Sequence, residues 1–185
     1  MKIELIPEEE FPPKQDNFDR LWTPHRLTYV SGKDKIVKKD KKHCPFCLPK
    51  HTKDDDKRLI VTRGEHCFVI LNLFPYNSGH AMVCPYRHIP NYTDLNKEEL
   101  SEFAEMTQKL MHVINKTSSP EGFNLGLNQG VDSGAGVSAH LHQHVIPRWR
   151  GDTNFMPLIA KAKPMLHLLD DLLKSYQKNW KELYG

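Results

Sequence analysis

The sequence predicts an α+β fold, an antiparallel sheet with helices packed against it. Three observations predict it. Short apolar stretches bounded by turn residues recur over 59–84 and return at 123–128 and 139–147. Two longer stretches carry apolar residues at helical spacing, one from Asn96 and one from about Met165 to Leu183. The elements run strands, helix, strands, helix, with no internal repeat.

The chain of 185 residues is long enough for one domain with a core and a terminal extension. Its boundaries are read as an arm at 1–20, a main domain at 21–160 and a C-terminal helix at 161–185 packed on it. The net charge of +3 is too small for a nucleic-acid-binding surface, but it allows a local basic pocket for a small anion. The acidic, proline-containing start has no apolar run of signal-peptide length, and no apolar stretch is long enough to span a membrane. Of Cys44, Cys47, Cys67 and Cys84, only the first two have a motif spacing. The expectation is a cytoplasmic protein with metal-bound or free thiols.

Residues 1–20 read as a loosely structured arm, and Leu21–Val30 is the first stretch apolar enough to dock on a core. The charged stretches Lys33–Lys42 and Lys50–Arg58 read as solvated loops around Cys44-Pro45-Phe46-Cys47. Leu59–Thr62 and Cys67–Leu71 read as strands joined by a turn at Arg63-Gly64-Glu65. His80–Cys84 is a third strand stopped by Pro85. Asn96 with Glu99 makes a capping box for a helix whose inner face is Leu100, Phe103, Thr107, Leu110 and Ile114. Ser118–Gly122 ends that helix, and Phe123–Asn128 alternates as a strand. The last helix presents Leu166, Leu169, Leu172, Leu173, Tyr176 and Trp180. Cys67 and Cys84, with strand neighbours, read as small core residues.

The stretch Ala139–Pro147 carries His140, His142 and His144 at alternate positions. As a strand it puts three imidazoles on one face and Leu141, Gln143 and Val145 on the other; a helix would scatter them. Each ring needs hydrogen-bond partners if buried. The preceding run with Gly130, Gly134 and Gly136 can bring backbone N–H groups close to an anion, as phosphate requires. A neutral imidazole beside such a loop can attack phosphorus.

On these residues the chain resembles the histidine triad superfamily, whose motif is His-φ-His-φ-His-φ-φ with φ apolar. His140-Leu141-His142-Gln143-His144-Val145-Ile146 matches it apart from the polar Gln143. Ser78–Pro85 and Asn72 extend the likeness over about residues 20 to 160. The resemblance implies a HIT-like fold and makes 21–160 a nucleotide-binding catalytic domain. It makes His142 the nucleophile on the α-phosphorus of a nucleotide, with a nucleotidyl-histidine intermediate. His144 and Ser138 would contact phosphate or leaving group, and Gly136 and Val137 would offer backbone N–H groups. Asn128 and Gln129 would position phosphates, Asn72 the ribose, and His80 would stand near the nucleotide. Asn128 and Gln129 read equally as loop caps, and Arg148 and Arg150 equally as site or surface arginines.

Superfamily members with a C-x-x-C pair hold zinc with that pair, a later histidine and the first triad histidine. The resemblance therefore implies a structural zinc on Cys44, Cys47, His88 and His140. Free thiols remain the alternative, and His43 and His51 are rival ligands. No organic cofactor is implied. Histidine at the third triad position departs from the hexose-1-phosphate uridylyltransferases. The short loop Gly134–Ala139 with Ser138, and Arg148-Trp149-x-Gly151-Asp152-x-Asn154-Phe155, resemble the bacterial diadenosine tetraphosphate phosphorylases more than the fragile-histidine-triad hydrolases. The implied substrate is a dinucleoside polyphosphate, with phosphate or water as acceptor and a homodimer as the assembly. The alternatives are a nucleoside phosphoramidase, a non-catalytic nucleotide sensor and a zinc-dependent interaction module.

Overall fold

The computed structural model describes residues 44–48, 54–152 and 165–185. The arm, the Leu21–Val30 segment, the Lys33–Lys42 loop, His43, His51, Asn154 and Phe155 lie outside the described residues.

Five strands form one sheet: β1 (Ile60–Arg63), β2 (Cys67–Leu71), β3 (Ala81–Pro85), β4 (Gly122–Leu127) and β5 (Gln143–Arg148). Their order is β1-β2-β3-β5-β4, and each neighbouring pair is antiparallel. The first three strands make a meander. The chain then crosses through helix α1 (Lys97–Ser118) to the far edge, and β5 returns to fill the gap between β3 and β4. Helix α2 (Leu169–Tyr184) follows.

β2 is buried along its whole length, so the sheet is covered on both faces. Cys67, Val69 and Leu71 point toward a core completed by Phe103, Leu110 and Ile114 of α1 and by Leu172, Leu173 and Tyr176 of α2. Phe68 and Ile70, at the intervening positions, join a smaller cluster with Cys44, Phe46, Ile60, Met82 and Cys84. The period of two along an extended chain makes this division. Burial pushes the Cys67 thiol up to about 12 and the Cys84 thiol well above its ordinary value, so both are inert core residues.

Helix α1 starts as its capping box requires: Glu99 N donates to Asn96 Oδ1 at 2.8 Å and Asn96 N to Glu99 Oε2 at 3.0 Å. Its inner face differs from the one expected. Leu100 is 39% exposed, while Met106 and Val113 are buried with Phe103, Thr107, Leu110 and Ile114. A stripe spaced by three and four residues drifts around a 3.6-residue turn, and the core took the flank bearing Met106. The second helix begins at Leu169, leaving Leu166 70% exposed before it. β3 includes Pro85 instead of stopping before it; Pro85 lies opposite Cys67, at the end of the ladder.

The histidine stretch is also shorter as a strand than expected. β5 begins at Gln143 and runs through Pro147 to Arg148, so His140 and His142 enter it from an irregular segment. There Leu141 N donates to Ile89 O at 2.6 Å. The sidedness survives nevertheless: Leu141 and Val145 enter the helix-side core, and the imidazoles lie on the opposite face.

Candidate functional site

The turn Asn77–Gly79 delivers His80 to the start of β3. Gly79 has φ +81°, and a Cβ on it would stand 2.8 Å from the Tyr176 hydroxyl and 2.9 Å from Pro147 Cγ. Only glycine permits that backbone and that approach. The Tyr176 hydroxyl donates to the Gly79 carbonyl at 3.0 Å, tying the turn to α2. Asn77 Nδ2 donates to Pro147 O at 3.0 Å and Asp152 Oδ2 at 2.8 Å, joining the turn to the end of β5.

Across the β3–β5 pair, with Met82 opposite His144, the histidines meet. The Tyr76 amide donates to His80 Nδ1 at 3.0 Å, and Asn72 Nδ2 lies 3.3 Å from the same nitrogen. His80 Nδ1 is therefore an acceptor, and its proton sits on Nε2. His80 Nε2 stands 2.9 Å from His144 Nδ1 and donates to it. The neutral His144 then carries its own proton on Nε2. That atom is the buried side-chain polar atom with no hydrogen-bond partner among the described residues. His142 is set the other way. Its Nδ1 is 2.8 Å from the His140 carbonyl, which can only accept, so Nδ1 holds the proton and the Nε2 lone pair is free. The rings of His142 and His144 meet edge to face with centroids 5.0 Å apart. Burial lowers the pKa of His142, and burial together with the nearby His142 lowers that of His144 to about 4, so both are neutral at pH 7.

Behind His142 lies a second constellation. The donor atoms of Cys44, Cys47, His88 and His140 all lie within 4.8 Å of one another. His140 Nδ1 faces Cys44 Sγ at 3.4 Å and Cys47 Sγ at 3.6 Å, and His88 Nδ1 is 3.1 Å from Cys47 Sγ. His140 Nε2 donates to the Pro85 carbonyl at 2.8 Å, which turns Nδ1 toward the thiols. Two thiols and two imidazoles suit a soft, four-coordinate metal ion, and no additional ligand is needed.

The remaining expected residues divide. Val137 and Ser138 are half-buried just before His140, with Val137 packed on the Phe46 cluster. Gly136 is exposed, and a methyl there would meet nothing within 4 Å. Gln129 braces the loop at Tyr92, whose amide it accepts at 2.5 Å, and Asn128 is half-buried beside it. The Asn72 amide is held inside the site by Phe74 N at 3.0 Å and by His80. Arg148 grips Asp152 with Nε and Nη2 and donates from Nη1 to Asn124, while Arg150 is exposed. Two site residues were not visible in the sequence: Phe46, whose ring is tilted against that of His142 at 4.9 Å, and Tyr76, whose ring lies 4.7 Å from His80 and 5.3 Å from His144. Phe46 stands inside the C-x-x-C pair, where an apolar residue could have been noticed; Tyr76 carries no periodic signal.

The sheet order, the paired tautomers and the histidine spacing define a histidine triad protein. A family model described as HIT domain matches residues 53–151, and the chain belongs to that family. It is 39% identical over 171 residues to the AP-4-A phosphorylase of Mycobacterium tuberculosis, covering 90% of this chain and 87% of the relative. It is also 39% identical over 93 residues to the asymmetrical bis(5'-nucleosyl)-tetraphosphatase of Schizosaccharomyces pombe, half of each chain. Among solved structures, a hypothetical histidine triad nucleotide-binding protein from Sulfolobus tokodaii superposes with a TM-score of 0.59. The identity is 27%, over 76% of this chain and 93% of that one. No helix of the described residues is long and apolar enough to cross a membrane.

Proposed function

We propose that this chain cleaves dinucleoside polyphosphates of the diadenosine tetraphosphate type through a nucleotidyl-histidine intermediate and passes the nucleotide to orthophosphate. The carrying observation is the pair of opposed tautomers: a lone pair on His142 Nε2 beside a buried, unpartnered N–H on His144. His142 Nε2 attacks the α-phosphorus, and the bond from that phosphorus to the bridging oxygen breaks. The nucleoside polyphosphate leaves with its oxygen hydrogen-bonded by His144 Nε2–H. An orthophosphate oxygen then attacks the same phosphorus, the P–N bond breaks, and a nucleoside diphosphate departs. Splitting one displacement into two lowers the barrier of each. Gly136, Val137 and Ser138, in the segment just before His140, would meet the charge developing on the phosphoryl oxygens. Asn128, Gln129, Asn72 and His80 hold the surrounding loops and the relay in place.

Phosphate is preferred to water as acceptor because the likeness to the AP-4-A phosphorylase runs nearly end to end, whereas the likeness to the tetraphosphatase covers half of each chain. The donor set of Cys44, Cys47, His88 and His140 supports zinc, which when bound would supply a structural clamp on the segment that carries His142. The free cysteines support a reducing, cytoplasmic setting. The edge strand β4, with Leu125 47% exposed, offers a surface for a homodimer.

Product analysis with diadenosine tetraphosphate tests the reading. ADP plus ATP only with orthophosphate is the expected result, and His142→Ala abolishes it while nucleotide still binds. AMP plus ATP without orthophosphate makes water the acceptor. Normal turnover by His142→Ala overturns the assignment.

A further inference from the structure

An imidazole that attacks phosphorus must aim its lone pair along the bond being broken, and misplacement is costly in rate. The His140 carbonyl pins one nitrogen of His142 but leaves the ring free to tip about that hydrogen bond. A surface on the ring face removes this freedom. Phe46 provides one: its ring lies 4.9 Å from that of His142 at 39°, and meets His140 edge-on at 5.7 Å and 70°. The His144 ring also meets that of His142, edge to face at 5.0 Å and 82°.

Phe46 is itself held. It stands between Cys44 and Cys47 in a turn closed by Cys47 N donating to Cys44 O at 3.3 Å, and its own carbonyl accepts from Leu48 N at 3.0 Å. Both flanking sulfurs belong to the four-donor cluster, so an ion bound there would clamp the turn on both sides of Phe46. The four-donor cluster thus meets the triad at two points. One is His140, which offers Nδ1 to the cluster and its carbonyl to His142; the other is Phe46.

We propose that Phe46 is a positioning residue, whose ring, carried on the turn between the two cluster cysteines, fixes with the His140 carbonyl the orientation of the His142 imidazole. The inference rests on the nucleotidyl-transfer reading above. A ring that only filled the cluster with Ile60, Phe68 and Met82 would be replaceable by an aliphatic side chain.

The test compares Phe46→Leu, which keeps apolar volume without a flat face, with Phe46→Tyr, which keeps the ring. Metal content and melting temperature are measured first. Single-turnover formation of adenylylated His142 from diadenosine tetraphosphate follows, with KM, and then the NMR signal of His142 Nδ1–H in nucleotide-free protein. The expected Phe46→Leu protein keeps the wild-type metal content and melts as wild type does. It forms the adduct about tenfold more slowly with KM within about twofold, and its Nδ1–H exchanges faster. Phe46→Tyr restores rate and signal. Adduct formation by Phe46→Leu at the wild-type rate overturns the proposal, and so does a loss that only tracks lost metal. If wild type forms no adduct, the nucleotidyl-transfer reading fails, and the Nδ1–H comparison still decides whether Phe46 orients His142.

Discussion

At the scale of single residues, His142 and His144 are chemically identical side chains given opposite protonation patterns by their neighbours. A backbone carbonyl puts the proton of His142 on Nδ1; a relay from the Tyr76 amide through His80 puts that of His144 on Nε2. The relay predicts that His80→Leu lets His144 adopt the other tautomer, and kcat falls about a hundredfold. His80→Gln, whose amide can still donate, retains much of the rate; equal rates for the two variants would refute the relay. Burial, with the nearby His142, also links His144 to stability. Its pKa falls from 6.5 to about 4, so the unfolded chain takes up this proton at a higher pH than the folded one. The contribution of His144 is complete above about pH 6.5 and is lost as pH drops toward 4, to an upper bound of about 3 kcal/mol. Urea midpoints between pH 7 and 4.5 should fall less steeply for His144→Phe than for wild type. The alternating histidines were legible because a period of two marks one face of an extended chain. The tautomers were not, because they depend on a carbonyl and an amide that any residue type could have supplied.

At the scale of elements, helix α1 does more than cover the sheet. The Glu102 carboxylate accepts three amides at the entry to β2, from Glu65 at 2.8 Å and His66 at 2.5 Å in the connection and from Cys67 at 2.9 Å. Gly64 lets the carboxylate come so near, since a Cβ there would lie 2.1 Å from Glu102 Oε1. Glu102→Ala should cost about 2–3 kcal/mol by stranding these donors, and Gly64→Ala should cost a similar amount by displacing the carboxylate. Chemical denaturation of both, and of the double variant, tests the shared cause: the double variant should be little worse than either single one. The C-x-x-C turn is the other tied element. Stripping metal with a chelator should lower the melting temperature of wild type and leave Cys44→Ala, already lacking a ligand, nearly unmoved. The capping box of α1 could be read in sequence because Asn96 and Glu99 act within one turn. Leu100 and Leu166 misled for one reason: hydrophobicity marks where a residue can be buried, while tertiary packing chooses the flank.

At the scale of the molecule, the sheet separates two kinds of work. One face is closed by helices over a largely apolar core; the other carries the smaller cluster, the triad and the four candidate metal donors. The general architecture followed from the order of apolar stretches. The exchange of β4 and β5 did not, because both are short, edge-compatible strands and nothing local states which one pairs with β3. Arg148, Asp152 and Asn77 show the same limit: the resemblance singled out the first two, and only the fold shows them as one network that fastens the end of β5 to the turn before His80.

The central position of β5 has a consequence for the growing chain on the ribosome. Among the described residues β4 pairs with β5 alone, so when residue 127 has emerged it has no strand of these to join, and β3 presents an open edge. Both edges are satisfied together only once Arg148 is free of the exit tunnel. The nascent protein therefore brings His142 and His144 to the sheet in the same event that closes it. A half-made copy holds no partly active site, only two unzipped edges for a chaperone to guard.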